Sequence, residues 1–567
     1  MTARQQGAPE REIAAPSSLY LDHLRAWAPR VISLMDRERF SRTRGCMDRT
    51  FWAWKFTDFP GSRFQEGLCY LSFLYATDFE DNPYYQNAKL LEWIEGGFDY
   101  WCTIQRSTGD FDEAYPFERS LAATAFTGHY VSEAFGFVGD ALSKKVADRF
   151  RRGITLAGDW LIRNDEKHGF LSNHLAAAAA ALYHAFRITG ESRFEVRSKY
   201  FVDKILSHQS SEGWYEEYGG ADPGYQTHGS YYLARIQQLS NDPKLLESLE
   251  RSLEFIAHFM HPDGSLGGEY TSRNTQTYYP AAFEMLSADS ATASWIAQTM
   301  RPSVKSLAAA GLGTVDIYNL FPLLNNTVFA YLAAKKNEGK EREPKGPSEA
   351  EGITHFPAAG LLKVRRKRYD LYVGLHKGGV LKLFDRAAGR LVLSNSGYVG
   401  TLTSGKTFSS QWNDPERPVE VQESSIKIEG GFFQTARPVM DPWRFMAFRL
   451  FSLTFGRVKA AAYWLKSLLV KVLIYKKREI DVRIERTIDL HDDGVTVRDQ
   501  LRGSRDNVVD LSPGDNFTTI HMGSSRYFVP NELVASPEDD YHQPIDVAEL
   551  PQGVERTLEI RLPAESE

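Results

Sequence analysis

Residues 212–232 read EGWYEEYGGADPGYQTHGSYY, a glycine-aromatic turn followed by a tyrosine-rich run that leads into a helical pattern. Similar turns at Gly109-Asp110, Gly169-Phe170 and Asp263-Gly264 precede other helical patterns, and the four glycines are 60, 44 and 51 residues apart. Each interval fits one helical hairpin. Repeated hairpins stack as an open solenoid or close into an α/α toroid. Polar, aromatic loops at the same point of each hairpin favour the toroid, with a cleft where the loops converge.

Apolar residues at three-to-four spacing predict the helices of this region. They cover residues 68–76, 88–100, 120–137, 142–163, 174–189, 231–239 and 243–259. Beyond residue 352 the period changes, and short alternating runs predict antiparallel strands, most simply a β-sandwich. Those runs are 361–364, 371–375, 380–384, 390–393, 426–428, 482–488 and 495–498.

A chain of 567 residues is too long for one ordinary core. The charged stretch KKNEGKEREPKGPSEAEG at 335–352 predicts the linker between two domains. The predicted organisation is a disordered tail (1–17), a toroid catalytic domain (18–334), the linker (335–352) and a β-sandwich domain (353–567).

Residues 443–478 interrupt the strand pattern with nine Lys/Arg, no acidic residue and many apolar side chains. A basic amphipathic helix on an anionic membrane surface fits this composition. The alternative is a long crossover whose lysines lie along the domain's own sheet.

Composition restricts the class of protein. A net charge of −6 gives no bulk electrostatic case for nucleic-acid binding, and three cysteines argue against a disulfide framework. The N-terminal stretch MTARQQGAPEREIAAPSS has no apolar core, which predicts a cytoplasmic protein, with a peripheral position at the inner membrane face as the alternative. No nucleotide motif, close metal-ligand spacing or cofactor signal is found, so no cofactor and no metal are predicted.

Two rim loops carry the residues of greatest chemical interest. Asn173-His174 opens an alanine-rich helix, and Tyr225 and His228 precede the helix of the next hairpin. An Asn-His pair followed by a Glu-Gly-aromatic turn and a Tyr-x-x-His loop resembles the heparinase II/III-like polysaccharide lyases, including their alginate-lyase relatives. The resemblance implies an α/α toroid followed by a β-sandwich, with these four residues as the catalytic set.

Removing the C5 proton of a uronate requires that its carboxylate first be neutralised. Asn173 supplies an amide donor for this step. His174 or Tyr225 can act as the base, and Tyr225 can return a proton to the leaving oxygen. His228 would orient or replace one of them. The predicted substrate-binding residues on the same rim are Arg119, Glu113, Glu217, Glu269, Arg273 and Tyr231.

The prediction is a lyase that cleaves a uronic-acid-containing polysaccharide or a lipid-linked glycan by β-elimination. The first alternative is a uronyl C5-epimerase or another glycan-tailoring enzyme at the membrane, which shares the first proton abstraction. The second is a toroid glycoside hydrolase using carboxylates such as Glu113, Glu217 and Glu269. The third is a glycan-binding protein without catalysis.

Overall fold

Six helical hairpins form a closed ring in a computed structural model of the chain. The structure describes residues 15–166, 169–217, 219–435, 441–473, 478–514, 526–534 and 539–563. Most of the predicted tail (1–14) and residues 474–477 of the predicted basic segment lie outside these ranges. The helices are α1 (Pro16–Leu34), α2 (Gly67–Ala76), α3 (Ala88–Ile104), α4 (Leu121–Val138), α5 (Lys144–Arg163), α6 (Ser172–Thr189), α7 (Ser192–Ser207), α8 (Pro223–Ser240), α9 (Pro243–His258), α10 (Ala281–Leu286), α11 (Ala291–Ser306) and α12 (Ile317–Asn337).

The second helix of each hairpin belongs to an inner ring. Helices α2, α4, α6, α8, α10 and α12 contact one another in succession, and α12 returns to α2. Inner helices are buried on most sides, and the run 176–181 of α6 is six buried alanines, which lets neighbouring helices approach closely. Outer helices such as α5 and α9 are amphipathic, with one buried face. The predicted α/α toroid is confirmed.

The recurring glycines have a packing reason. Gly109, Gly213 and Gly264 all have positive φ angles (100°, 97° and 78°). A Cβ on Gly213 would lie 2.3 Å from the carbonyl oxygen of Arg251, and one on Gly109 would lie 2.1 Å from that of Leu156. Each turn therefore passes directly over the backbone of the next outer helix, where no side chain fits.

Helix α8 begins eight residues before its predicted start. The carboxylate of Asp222 caps it by accepting from the backbone N–H of Tyr225 at 3.0 Å, and Pro223 occupies the first turn, where its missing N–H costs nothing. Gly224 and the tyrosines obscure this start in the sequence. The prediction that Tyr225 and His228 lie in a loop is therefore wrong, because both lie in the first turns of α8.

The C-terminal part is a sandwich of two antiparallel sheets. One has the order β1-β2-β3-β4-β5, and the other β12-β6-β7-β9-β10-β11-β13 with β8 on β9. Apolar side chains of both sheets share one core, which confirms the predicted sandwich. The strands are β1 (Gly352–Phe356), β2 (Leu361–Arg365), β3 (Tyr369–Gly374), β4 (Val380–Asp385), β5 (Arg390–Asn395), β6 (Tyr398–Leu402), β7 (Thr407–Ser409), β8 (Val419–Val421), β9 (Ser425–Gln434), β10 (Glu479–Leu490), β11 (Gly494–Gly503), β12 (Val508–Pro513) and β13 (Val554–Arg561).

The two parts of the chain pack tightly against each other. Tyr372 donates its hydroxyl to the carbonyl of Met260 at 2.8 Å, and the buried Lys382 ammonium lies 2.6 Å from the carboxylate of Glu269. Between β9 and β10 the chain leaves the sandwich as two helices, α13 (Pro442–Leu453) and α14 (Lys459–Leu473). We call these two helices and their connection the 442–473 hairpin.

The 442–473 hairpin packs on the rim of the toroid. Phe448 meets the ring of Tyr115 edge-on at 5.0 Å, and Arg449 forms a 3.1 Å ion pair with Asp58. Lys459 donates to the side-chain oxygen of Asn164 at 3.0 Å. The described contacts of the 442–473 hairpin are therefore with the toroid rim, whereas the alternative of lysines lying along the domain's own sheet stays a prediction. None of the described helices is both long and apolar enough to cross a membrane.

Candidate active site

Asn173 lies at the start of inner helix α6, at the mouth of the ring where the rim loops meet. Its backbone N–H and its side-chain Nδ2 both donate to the carboxylate of Glu217, each at 3.0 Å. Its Oδ1 is buried and has no hydrogen-bond partner among the described residues. The amide is thus held from one side; because Oδ1 only accepts, the second hydrogen of Nδ2 is the one that could donate to a ligand carboxylate.

Glu217 lies in the loop that precedes α8 and is only 2% exposed. Burial raises the pKa of its carboxyl to about 8, against the lowering effects of Arg273 and the hydrogen bonds from Asn173. At neutral pH this carboxyl therefore carries a proton much of the time. Protonated carboxyl and amide together form a group that can hold the carboxylate of a ligand.

His174 follows Asn173 on the same helical turn. Its Nδ1 lies 3.1 Å from the carboxylate of Glu166, and 23% of its side chain is exposed. Its ring meets Phe126 of α4 edge-on at 5.6 Å. A carboxylate that accepts from Nδ1–H leaves Nε2 as the basic nitrogen and stabilises the imidazolium that would form on protonation.

Tyr225 is oriented by the capping residue of α8. Asp222 uses one carboxylate oxygen to cap Tyr225 and the other to accept from Thr271 and from the backbone N–H of Arg273 at 2.8 Å. The Arg273 guanidinium lies over the Tyr225 ring, 4.1 Å from its centroid. The half-buried phenol therefore has a positive charge beside it.

His228 lies one turn further along α8 and is almost fully buried. Burial, and then the positive charge of Arg63, lower the pKa of its imidazole to about 3, so it is neutral at working pH. Its Nε2 lies 2.9 Å from the hydroxyl of Tyr232, and its ring stacks on Tyr279 at 4.2 Å. The stack fixes the wall of the cleft next to Phe126, which also meets His228 at 5.7 Å.

Arg63 is a further cation of this site. It is held by Glu66 at 2.7 Å and by Glu113 at 3.3 Å, and its guanidinium lies 4.5 Å from the centre of the Phe126 ring. Phe126 in turn touches both His174 and His228. Glu113, predicted to bind substrate, thus acts in the structure as a partner of Arg63.

Two connections of the β domain, one between β7 and β8 and one between β12 and β13, border the same region. The side-chain amide of Asn413 donates to the carbonyl of Gly219, in the loop that carries Glu217. Tyr527 donates its hydroxyl to Asp316 at 3.3 Å, and burial, followed by the nearby Tyr279 and Asp316, raises the pKa of its phenol. Both parts of the chain therefore shape the cleft.

Three residues predicted to bind substrate lie elsewhere. Tyr231 is fully buried on the other side of α8, where its hydroxyl meets His129 at 3.0 Å. Glu269 is buried in its ion pair with Lys382. Arg119 donates to the carbonyl of Arg457 in the 442–473 hairpin at 2.8 Å. The predictions for Tyr231 and Glu269 are corrected because both side chains are buried against protein partners, whereas the predicted substrate contact of Arg119 stays a prediction.

A buried cluster below the site contains side chains of the types that bind metals, and the cluster was not predicted from the sequence. His129 and Glu133 lie one turn apart on α4, and His184 comes from α6, with one possible ligand atom of each within 4.8 Å of the others. Arg235 already binds both oxygens of Glu133, at 2.6 and 3.0 Å. The carboxylate of Glu133 is therefore neutralised by an ion pair with Arg235 in the core of the ring.

The arrangement as a whole brings together an amide with a proton-bearing carboxyl, a carboxylate-supported imidazole and a phenol beside a guanidinium. The residues Asn173, His174, Tyr225 and His228, predicted to be catalytic, lie in one connected cluster of contacts with the predicted Glu217 and Arg273. Such a set can bind a carboxylate, remove a proton and deliver one. Glu166, Arg63 and Tyr279 complete the set and were not predicted in these roles.

Comparison with known proteins supports this architecture. Residues 62–282 match the family model of the ulvan lyase N-terminal domain, a range that holds every residue of the candidate site from Arg63 to Tyr279. No curated protein matches the chain.

Two solved lyases share the fold at low identity. A xanthan lyase from Paenibacillus superposes with a TM-score of 0.54 at 10% identity, over 88% of this chain and 46% of that one. The chondroitin AC lyase of Streptomyces coelicolor A3, solved in complex with chondroitin sulphate, superposes with a TM-score of 0.54 at 12% identity, over 90% of this chain and 69% of that one. The chain thus spans less than half the length of the xanthan lyase. The resemblance to polysaccharide lyases predicted from the sequence is confirmed, and the chain shares with them a helical toroid followed by a β domain.

Proposed function

We propose that this protein is a polysaccharide lyase that cleaves an acidic, uronate-containing glycan by β-elimination. The observation that supports the proposal is that Asn173, His174 and Tyr225 lie in one cluster at the rim of the ring, each in contact with its own partner. The match to the ulvan lyase N-terminal domain over these residues supports it. The substrate class follows from the chemistry of the site, which is built to neutralise a carboxylate.

Carboxylate neutralisation comes first. The C5–H of a uronate is a weak acid because the adjacent carboxylate is already negative. Asn173 and the protonated Glu217 would share hydrogen bonds with this carboxylate, so that the charge developing at C5 is delocalised onto it. Arg273 adds positive charge on the same side, since its electrostatic effect reaches Glu217.

Proton transfer follows. His174 Nε2 or the Tyr225 phenolate takes the C5 proton, and the C–H electron pair forms the C4–C5 double bond. The C4–O bond breaks and its electrons stay on the leaving oxygen. That oxygen takes a proton from Tyr225, which balances the step without an added redox partner.

The hydrolase alternative is less well supported by the geometry. A glycosidase requires two carboxyl groups that flank the scissile bond and are available to it. Here Glu113 holds Arg63, Glu217 holds Asn173, and Glu269 is sealed in its ion pair with Lys382. Glu113 and Glu269 are thus each committed to a cation, which leaves Glu217 without a second carboxyl group of this set to act with.

The test is turnover of a panel of acidic polysaccharides, including ulvan, chondroitin sulphate and xanthan, and of lipid-linked acidic glycans. Cleavage would give an unsaturated uronate that absorbs in the ultraviolet. In deuterated water, deuterium that enters C5 of an uncleaved chain would instead indicate the epimerase. The proposal is contradicted if no polysaccharide of the panel gives either product, so that the wild type is as inactive as Tyr225→Phe.

A further inference from the structure

The 442–473 hairpin exposes a group of large apolar side chains. Trp443 is 77% exposed and Leu450 68%, and both lie on α13. Further exposed apolar residues on the hairpin are Phe445, Met446, Leu453, Phe455, Val458, Tyr463, Trp464 and Leu468. Soluble surfaces carry such residues singly, and a contiguous set marks an interaction site.

The apolar surface extends onto the toroid. Trp54 and Phe56, 65% and 87% exposed, lie in the segment that leads to Asp58. Asp58 is the ion-pair partner of Arg449 in α13, at 3.1 Å. We call the exposed apolar residues of the hairpin together with Trp54 and Phe56 the apolar patch. The patch therefore includes parts that are far apart in sequence and joined by this ion pair.

The charge of the 442–473 hairpin indicates which kind of surface would cover the apolar patch. From Pro442 to Leu473 the chain has six Lys/Arg and no acidic residue. Arg444, Arg457 and Lys459 are exposed on the hairpin, where Arg444 also pairs with Asp441, the capping residue of α13, at 3.0 Å and Lys459 donates to Asn164. Tryptophans and aliphatic side chains bordered by cations are typical of segments that lie in the interface of an anionic bilayer.

We propose that the apolar patch docks on the surface of a bilayer containing anionic lipid. The apolar side chains enter the headgroup region, and the basic side chains meet the lipid phosphates. The two helices lie on the membrane and do not cross it. Among the described residues no helix is suited to spanning.

Docking would orient the cleft. The hairpin is attached to the rim at Tyr115 and at Asn164, two residues before the Glu166 that holds His174. The mouth of the toroid that contains the candidate site therefore lies next to the docking surface. If the proposed function also holds, the substrate would be an acidic glycan presented at a membrane, and this consequence alone depends on that function.

The experiment is flotation of the full chain with vesicles of phosphatidylcholine alone and of phosphatidylcholine with phosphatidylglycerol. We expect the chain to float with the anionic vesicles at low salt and at least tenfold less at high salt or with neutral vesicles. The double variant Trp443→Ser/Leu450→Ser should lose at least tenfold in binding. Because both side chains are mostly exposed, its melting temperature should stay near that of the wild type.

A matched control uses an exposed apolar residue elsewhere. Val196 on α7 is 70% exposed, and Val196→Ser should float as the wild type does. Equal recovery of wild type and double variant with anionic vesicles would overturn the proposal. So would a wild type that ignores vesicles and instead dimerises, or binds a soluble acidic polysaccharide, through the patch. Turnover of soluble substrate is a separate readout, so either proposal can fail without the other.

Discussion

Glu217 receives both the backbone N–H and the side-chain amide of Asn173, so one carboxyl group fixes the position and the rotation of one amide. The two residues come from different hairpins, 44 positions apart. Their bond joins the start of α6 to the loop before α8, and the candidate site lies between these elements. The proton on the buried Glu217 carboxyl group therefore affects both the stability of the fold and the proposed binding of a ligand carboxylate.

Glu217→Gln tests that proton. Burial raises the pKa of Glu217 to about 8, so the folded chain keeps a proton that the unfolded chain releases above pH 4.5. The free energy of unfolding should then fall as pH rises from 4.5 to 8, by at most about 1.4 kcal/mol per pH unit. Glutamine removes this titration. The melting temperature of the variant should match the wild type near pH 5 and exceed it increasingly towards pH 8; parallel melting profiles would contradict the assignment.

Tyr225→Phe tests the proton-transferring role. Loss of the hydroxyl should lower kcat by about a hundredfold to ten-thousandfold, the range measured for acid–base groups. The melting temperature should change little because the ring and its contact with Arg273 remain. Tyr85→Phe, another partly exposed tyrosine, is the control and should keep full activity. Equal activity of the two variants would remove Tyr225 from the mechanism.

Glu166→Gln tests the support of His174. The variant keeps the size of the side chain but loses the negative charge next to Nδ1, 3.1 Å away in the wild type. We expect kcat to fall tenfold or more while KM changes little, since the imidazolium is stabilised only during proton transfer. Steady-state kinetics on the polysaccharide identified by the panel provide the measurement. A change confined to KM would make Glu166 a substrate contact.

Gly213→Ala tests the recurring turn. Its new Cβ would lie 2.3 Å from the carbonyl oxygen of Arg251 at a φ of 97°, so strain and overlap add. We expect a loss of about 3 kcal/mol or more. Gly190→Ala is the control, since Gly190 has a φ of 76° but no atom within 4 Å of the added Cβ, and should cost about 1 kcal/mol. Urea midpoints would separate them, and equal midpoints would rule out the close approach as the reason for the glycine.

The periodic part of the fold could be read from the sequence. Apolar spacing and the recurring glycines predict the ring of hairpins, and alternating runs predict the sandwich. The start of α8 was missed because two glycines and several tyrosines hide a helix that Asp222 and Pro223 initiate. The capping contact of Asp222 outweighs the low helix propensity of the glycines and tyrosines that follow it.

The sequence predicted only those site residues that lie at the starts of helices. Asn173, His174 and Tyr225 stand out because polar residues open otherwise apolar helices. Tyr231 was misplaced because a start at residue 231 would put it on the rim, whereas it lies two turns inside α8 and faces His129. Glu166 lies in the loop just before α6, where the sequence does not distinguish it from an ordinary loop carboxylate, whereas Arg63 comes from a distant segment that the fold brings next to Phe126.

Closure of the ring has a consequence for folding. An open array of hairpins can fray from either end, and each terminal unit can be removed with modest loss. Here α1 and α2 of the first hairpin pack against α12 of the last, and Tyr20 of α1 donates to Glu284 of α10 in the fifth hairpin at 2.7 Å. Such contacts form only after some 260 intervening residues are in place, which slows folding. The toroid should therefore unfold as one unit, and deletion of any single hairpin should abolish the whole domain instead of shortening it.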